Sequence, residues 1–321
     1  VQPFSYHHAN TLRDATGLLA EPASLALGGG TDLLVWLKEG LAAPRSLVDL
    51  RDVDGLRGID LRPDGSLRIG AATRIDDLAT NALVLERWPV LAAACESVGT
   101  SALRHMGTIG GNLCQRPRCW YLRRNIPCLK NGGSSCPAAT GENQYHAILG
   151  GGPCWIVHPS DPAVALTALG AVVSLGSATG SRDVPIEEFY VLPSERMEHE
   201  TILTVGEVVI GITLPSESAR GVQRYYKLMQ RGSWDFAIAS LGVARRASGD
   251  VRLVLGGVAP RPWRIDSSVE EDVASGSLDE ADAETLADRA LYDAAPLSKN
   301  GYKVALARTL IARAIVELIR S

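Results

Sequence analysis

Apolar positions along this chain switch repeatedly between short runs and helical spacing, and the switches outline its elements. The opening residues read as a strand, and "TLRDATGLLAE" after them as a helix. "ALGGGTDLLVWLKEG" reads as a strand ending in a glycine turn that opens a helix at Thr31 or Asp32, both favourable N-caps. "SLVDLRDV" is a short strand, and "SLRIGAATRIDDLA" is a strand, a turn and a helix start. "RWPVLAAACESVG" is a helix with Pro89 near its beginning. "SALRHMGTIGGNLCQRPRC" is Gly-rich and irregular. From Cys154 the pattern predicts a strand, a helix from Pro162 capped by Ser160 or Asp161, another strand, and two strands around "GEVVIGITLP".

Composition shifts at "PSESARG" (215–221), which reads as a linker. Beyond it "QRYYKLMQRG" and "VRLVLGGVA" read as strands, with a helical "SWDFAIASLGVARR" between them. Two helices follow, around "DEADAETLADRAL" and in "GYKVALARTLIARAIVELI". The expected fold class is α+β in two units, 1–218 and 222–321, with no internal repeat.

Length and charge narrow the class. A chain of 321 residues is long for one core. A net charge of −4 and 5% aromatic residues give no footing for nucleic acid or an anionic membrane. No apolar run is long enough to span a bilayer, and "VQPFSYHHAN" has neither a basic nor an apolar signal region. The expectation is a cytoplasmic protein, or a periplasmic one if a partner subunit carries the export signal.

Two glycine clusters suggest ligand chemistry. Gly28-Gly29-Gly30-Thr31 lies between a strand and a helix, where free amides suit an anion. Residues 107–112, "GTIGGN", form a second loop of this kind. Neither is a Rossmann GxGxxG or a Walker loop. Read alone, each is a tight turn or a phosphate cradle; together they fit a nucleotide or dinucleotide.

Five of the six cysteines crowd residues 114–154; Cys95 stands apart in an apolar helix as a structural thiol. Cys119, Cys128, Cys136 and Cys154 are separated by nine, eight and eighteen positions, without the C-x₂₋₄-C pairs of zinc sites or the C-x₂-C runs of ferredoxins. Spacing alone leaves free thiols, a disulfide and a metal cluster open. From Ser97 to Gly141 there is no acid, but there are Arg104, Arg116, Arg118, Arg123, Arg124 and Lys130. These cations either offset an anionic cluster or form a docking patch for an acidic electron carrier.

"ALGGGTDLL" with "GTIGGNL" resembles the flavin-binding subunit of the molybdenum hydroxylases, the family of xanthine dehydrogenase, carbon monoxide dehydrogenase and aldehyde oxidoreductases. "RIGAATRIDDLA", "HPSDPAVALTALGA", "LTVGEVVIGITLP", "YYKLMQRGSWDFAIASLGVA" and "LGGVAPRPWR" extend the resemblance over the whole chain. It implies a vanillyl-alcohol-oxidase-type FAD domain of two subdomains, about 1–58 and 59–218, and a C-terminal domain like that of CO dehydrogenase flavoproteins. Leu27, Gly28, Gly29, Gly30, Thr31, Asp32, Leu33 and Leu34 would hold the FAD pyrophosphate. Thr108, Gly111 and Asn112 would hold the pyrophosphate and ribityl region, Asp161 the ribityl chain, and Lys227 and Val258 would lie by the flavin ring. His158 is expected to be structural.

The 114–154 loop resembles those of the 4-hydroxybenzoyl-CoA reductase flavin subunit and, more closely, of the bacterial periplasmic aldehyde oxidase flavin subunit. That resemblance implies a [4Fe-4S] cluster on Cys119, Cys128, Cys136 and Cys154, with Cys114 left out. It also implies a molybdopterin-binding large subunit, a [2Fe-2S] small subunit, and an external electron acceptor such as NAD, oxygen, a quinone or ferredoxin. Readings from other classes are a stand-alone FAD-dependent oxidase of a small molecule and a zinc-binding scaffold.

Overall fold

The computed structural model describes residues 1–276 and 278–321. Its elements fall into three sheets. In the first, β1 (Ser5–His8), α1 (Leu12–Leu19), β2 (Ser24–Leu27), α2 (Leu33–Lys38) and β3 (Ser46–Asp49) build a parallel sheet of order β1-β3-β2. Its core is small, with Ala15, Leu19 and Val48 at its centre.

The second unit opens with β4 (Ile59–Leu61), β5 (Leu67–Gly70), α3 (Ile75–Thr80), α4 (Ala82–Arg87) and α5 (Pro89–Glu96). It continues through α6 (Ser101–Met106), α7 (Ile109–Leu113), α8 (Trp120–Arg123), α9 (Asp161–Leu169), β6 (Val172–Ser177), β7 (Gly180–Pro185), α10 (Ile186–Phe189) and β8 (Val208–Leu214). Its antiparallel sheet has the order β4-β5-β8-β6-β7, so β8 returns from late in the chain to the centre.

The third unit holds β9 (Val222–Leu228), β10 (Ala239–Arg245), β11 (Val251–Gly256), β12 (Trp263–Arg264), α11 (Ser267–Ala274), α12 (Asp282–Ala290) and α13 (Tyr302–Ile319). Its sheet, β12-β11-β10-β9, is antiparallel and packs on α13.

Helix α9 joins the second and third units. Ser160 caps it by accepting from the Ala163 amide at 3.1 Å, Pro162 occupies its first turn, and Gly170 ends it at φ +68°. All nine of its residues are buried, because α5 covers one side and β10 and β11 the other.

Four sequence expectations are corrected. The stretch read as helical, "SWDFAIASLGVARR", contains strand β10, whose residues 239–244 are all buried. Covered on both faces, it has no polar alternation to mark it as a strand. The irregular "SALRHMGTIGGNL" forms two short helices, α6 and α7, capped by Thr100 and Thr108. Residues 154–158 are extended but join no sheet, and "GEVVIGITLP" supplies the single strand β8.

Candidate functional site

The two glycine loops meet back to back. A β-carbon added to Gly29 would lie 1.8 Å from the Met106 carbonyl oxygen, and one on Gly28 would lie 2.6 Å from the Thr108 hydroxyl. Only glycine permits this approach, and Gly30 turns the chain at φ +72°. Among the described residues no acceptor is found for the amides of Gly28, Gly29, Gly30, Thr31 and Asp32. They border a cleft of about 470 Å³ also lined by Leu33, Thr108, Gly111, Asn112 and Asp161. Unpaired amides in a polar cradle are costly unless a ligand takes them, and a pyrophosphate does so.

The second loop is held from beneath. Thr108 accepts from the Gly111 amide at 3.2 Å, and Asn112 accepts from the Ser160 hydroxyl at 2.6 Å. Ser160 thereby ties "TIGGN" to the start of α9 and so to Asp161.

Asp161 is buried at the floor of the cleft. Its carboxylate accepts from the Tyr225 hydroxyl at 2.6 Å and pairs with Lys227 at 2.8 Å. Burial pushes its pKa up, and Lys227 and Tyr225 pull it back. Lys227 also donates to the Ser97 carbonyl at 2.9 Å, so its ammonium is committed behind Asp161 and does not line the cleft. Val258 is fully buried, and its carbonyl accepts from the Ile148 and Leu149 amides. Leu27 is buried beneath the first loop, and Leu34 folds over Gly30; neither lines the cleft. Sequence reasoning missed Tyr225, although it lies two positions before Lys227 and shares its strand face. It also missed Trp234 and Phe236, which overhang the cleft.

Asp32 departs most from expectation. It caps α2 without a side-chain cap bond. Its carboxylate accepts from the Arg116 amide at 2.8 Å, Arg118 at 2.6 Å and Arg123 at 2.8 Å. The guanidinium of Arg116 lies over Trp36 of α2 at 4.9 Å and that of Arg123 at 4.7 Å. Arg116 and Lys130 also pair with the buried Glu200 at 2.6 and 2.9 Å. The basic loop therefore faces inward. The docking-patch expectation fails for Arg123, whose charge is spent on Asp32 and Trp36; Arg124 alone of that pair is exposed.

The cysteines gather next to this clamp. The Cys154 thiol donates to Cys136 and pulls its pKa down to about 6, against burial and aided by the amides of Trp155, Ala138 and Ala139. Cys154 itself is raised by that bond and by burial. Burial raises Cys119, opposed by the amides of Leu122 and Tyr121, and the charges of Cys136 and Cys128 reach it. His146 Nε2 lies 3.3 Å from the Cys119 sulfur. Cys128 packs with Leu122 against Trp36. No three His, Cys, Asp or Glu side chains among the described residues converge as a single metal ion requires. A cubane cluster distributes its thiolates over four irons and asks for a wider spacing, with amides directed at sulfur.

Cys114 borders the glycine-loop cleft instead, and burial pushes its thiol up to about 12. Cys95 is fully buried, as expected. His158 Nδ1 accepts from the Ser160 amide at 3.4 Å and the ring packs on Tyr190, while its buried Nε2 has no partner among the described residues and the residue borders a second cavity of about 340 Å³.

The third unit also reaches the cysteine loop. Lys303 of α13, wholly buried, donates to the carbonyls of Tyr145 (3.2 Å), His146 (3.0 Å) and Gly257. Asn300 donates to those of His146 and Ala147, each at 3.1 Å. Burial alone drives Lys303 down to about 7.

A non-Rossmann pair of glycine loops lining one cleft, beside a helix-backed sheet, fits a nucleotide-binding protein. The chain belongs to the FAD-binding subunits of the molybdopterin dehydrogenases: residues 2–217 match the FAD binding domain in molybdopterin dehydrogenase, and 224–318 the CO dehydrogenase flavoprotein C-terminal domain. It is 35% identical to the aldehyde oxidoreductase FAD-binding subunit PaoB of Escherichia coli K12, over 99% of this chain and 98% of that one. It is 29% identical to the xanthine dehydrogenase FAD-binding subunit of E. coli O157:H7, over 98% and 96%. In fold it matches quinoline 2-oxidoreductase from Pseudomonas putida 86, with TM-score 0.75, 23% identity, and coverage of 99% of this chain and 98% of that one. Carbon monoxide dehydrogenase from Hydrogenophaga pseudoflava gives TM-score 0.73 at 24% identity, covering 98% and 96%. This chain is thus the FAD-binding subunit of a molybdenum hydroxylase family oxidoreductase.

Proposed function

We propose that this subunit carries a [4Fe-4S] cluster beside its FAD and passes electrons from a [2Fe-2S] subunit to an external acceptor. In this reading a molybdopterin-binding large subunit oxidises an aldehyde or N-heterocycle. FAD supplies exchange between one-electron and two-electron carriers, and the cluster a further one-electron centre.

The residues here have defined tasks. The amides of 28–32 would take the pyrophosphate, with Thr31, Leu33, Thr108 and Gly111 shaping its cradle. Asn112 and Asp161 would meet the ribityl chain, Asp161 being oriented by Tyr225 and Lys227. Lys227 acts through Asp161. Cys119, Cys128, Cys136 and Cys154 would hold the cluster.

The observation that carries the cluster reading is the Cys136–Cys154 pair: the amides of Trp155, Ala138 and Ala139 favour a thiolate at Cys136, and the amide of Ile156 favours one at Cys154. The test is the iron, acid-labile sulfide and flavin content of the purified chain. Wild type and Cys114→Ser are expected to hold iron and sulfide in equal amounts, and Cys128→Ser to lose both. Equal iron in both variants, or none in wild type, would sink the ligand assignment. The chain alone is expected to oxidise no aldehyde until its partner subunits are added, which a stand-alone oxidase would do.

A further inference from the structure

The FAD cradle and the cysteine loop are mechanically one object, joined at Asp32. We infer that Asp32, Arg118 and Arg123 form a clamp that preorganises the glycine loop, so that FAD retention depends on the order of the cysteine loop. Asp32 and Arg123 are positioning residues in this role.

The argument starts from the cradle. Residues 28–32 present amides with no acceptor among the described residues, and Gly30 is held at positive φ. A loop in this state binds tightly only if its conformation is fixed beforehand, because ordering it on binding subtracts from affinity. Inside the loop the Gly30 carbonyl accepts from the Leu34 amide at 3.0 Å, and Met106 and Thr108 pack behind Gly29 and Gly28, but neither contact holds the end of the loop at Asp32. Asp32, at its end, is fixed from outside by the Arg116 amide and two guanidinium groups, all from the stretch that carries Cys119.

The clamp sets two guanidinium cations on one carboxylate. Arg118 and Arg123 repel one another, and Asp32 between them offsets that repulsion. Arg123 is further bound to the Pro117 and Arg116 carbonyls at 2.8 and 2.9 Å, which curls the loop on itself. Trp36, held between Arg116 and Arg123, extends the clamp to the helix that follows the cradle. Arg123 lines no part of the cleft, so an effect of its removal on FAD cannot be a lost contact.

The inference rests on the FAD reading of the cleft and uses the cluster only in one arm of its test. FAD affinity is measured by flavin fluorescence on the purified chain, with the thermal midpoint followed in parallel. Arg123→Gln is expected to weaken FAD about tenfold, equivalent to about 1.4 kcal/mol. Arg123→Lys, which keeps the charge, is expected to recover part of that loss. Asp32→Asn should weaken FAD comparably, and the double variant should fall short of the sum. An FAD affinity for Arg123→Gln within about twofold of wild type, at unchanged thermal midpoint, overturns the inference. If Asp32→Asn fails to fold, the Arg123 pair still decides. In the last arm iron is removed by a chelator: FAD affinity should fall toward that of Arg123→Gln. A wild-type chain without iron refutes the cluster while leaving the Arg123 result to judge the clamp.

Discussion

Asp49 shows how one carboxylate sets the acid limit of the first sheet. It is fully buried at the end of β3 and bound by Arg51 at 2.6 Å and by the Tyr6 hydroxyl. Burial alone would raise its pKa, but Arg51 and then Tyr6 pull it down to about 2. A carboxylate depressed in the folded state stabilises fully above its unfolded pKa and loses that contribution as pH falls through the folded value. The expected outcome is a drop in thermal midpoint between about pH 4 and pH 2 that Asp49→Asn removes; a superimposable pH profile for the variant would refute it. Asp32 has the same chemistry in a different setting, and sequence could not separate the two. Its partners lie 84 to 91 positions away, and a free N-cap was the simplest reading of "GTDLL".

Among the elements, those with one wet face were legible. α1, β5 and α12 follow their apolar spacing, and the capped start at Ser160 follows side-chain chemistry. β10 was not, because burial on both faces erased its period. Its neighbours explain how tightly it is covered. A β-carbon on Gly256 would lie 2.4 Å from the Ser240 hydroxyl and 2.5 Å from Val164 of α9. Gly256→Ala is therefore expected to cost about 1–3 kcal/mol by overpacking α9 against β10 and β11. Equilibrium denaturation checks it, and an unchanged midpoint would mean that α9 has room to move. The glycine clusters suggested a ligand only as a pair, since each alone reads equally as a tight turn, and the structure brings the two together at one cleft. The cysteine grouping was legible only through resemblance: its spacing follows no metal motif, and hydrogen bonds from amides to sulfur leave no trace in composition.

For the whole molecule, the cofactor region is a seam shared by all three units. The first gives the glycine loop, the second "TIGGN", Asp161 and the cysteines, and the third Lys227, Tyr225, Asn300 and Lys303. Three carbonyls around one amino group are satisfied together only by an ammonium, so Lys303 fastens the loop fully only when protonated, and burial, which drives its pKa down to about 7, works against that form. Lys303→Met is expected to destabilise the chain by about 1–3 kcal/mol through unpaired carbonyls. It should also speed alkylation of Cys119 and Cys128 in iron-free protein. Thiol reactivity equal to wild type would show that α13 does not secure the loop.

That latch has a consequence for biosynthesis. Lys303 follows His146 by 157 positions, so the ribosome completes the cysteine loop long before it makes the helix that fastens it. Through that interval the loop can be tethered to the glycine cradle and to Glu200, but not yet to the last helix. Docking of α13 closes the interval, and the order of translation itself becomes a schedule: cysteines presented first, cover last.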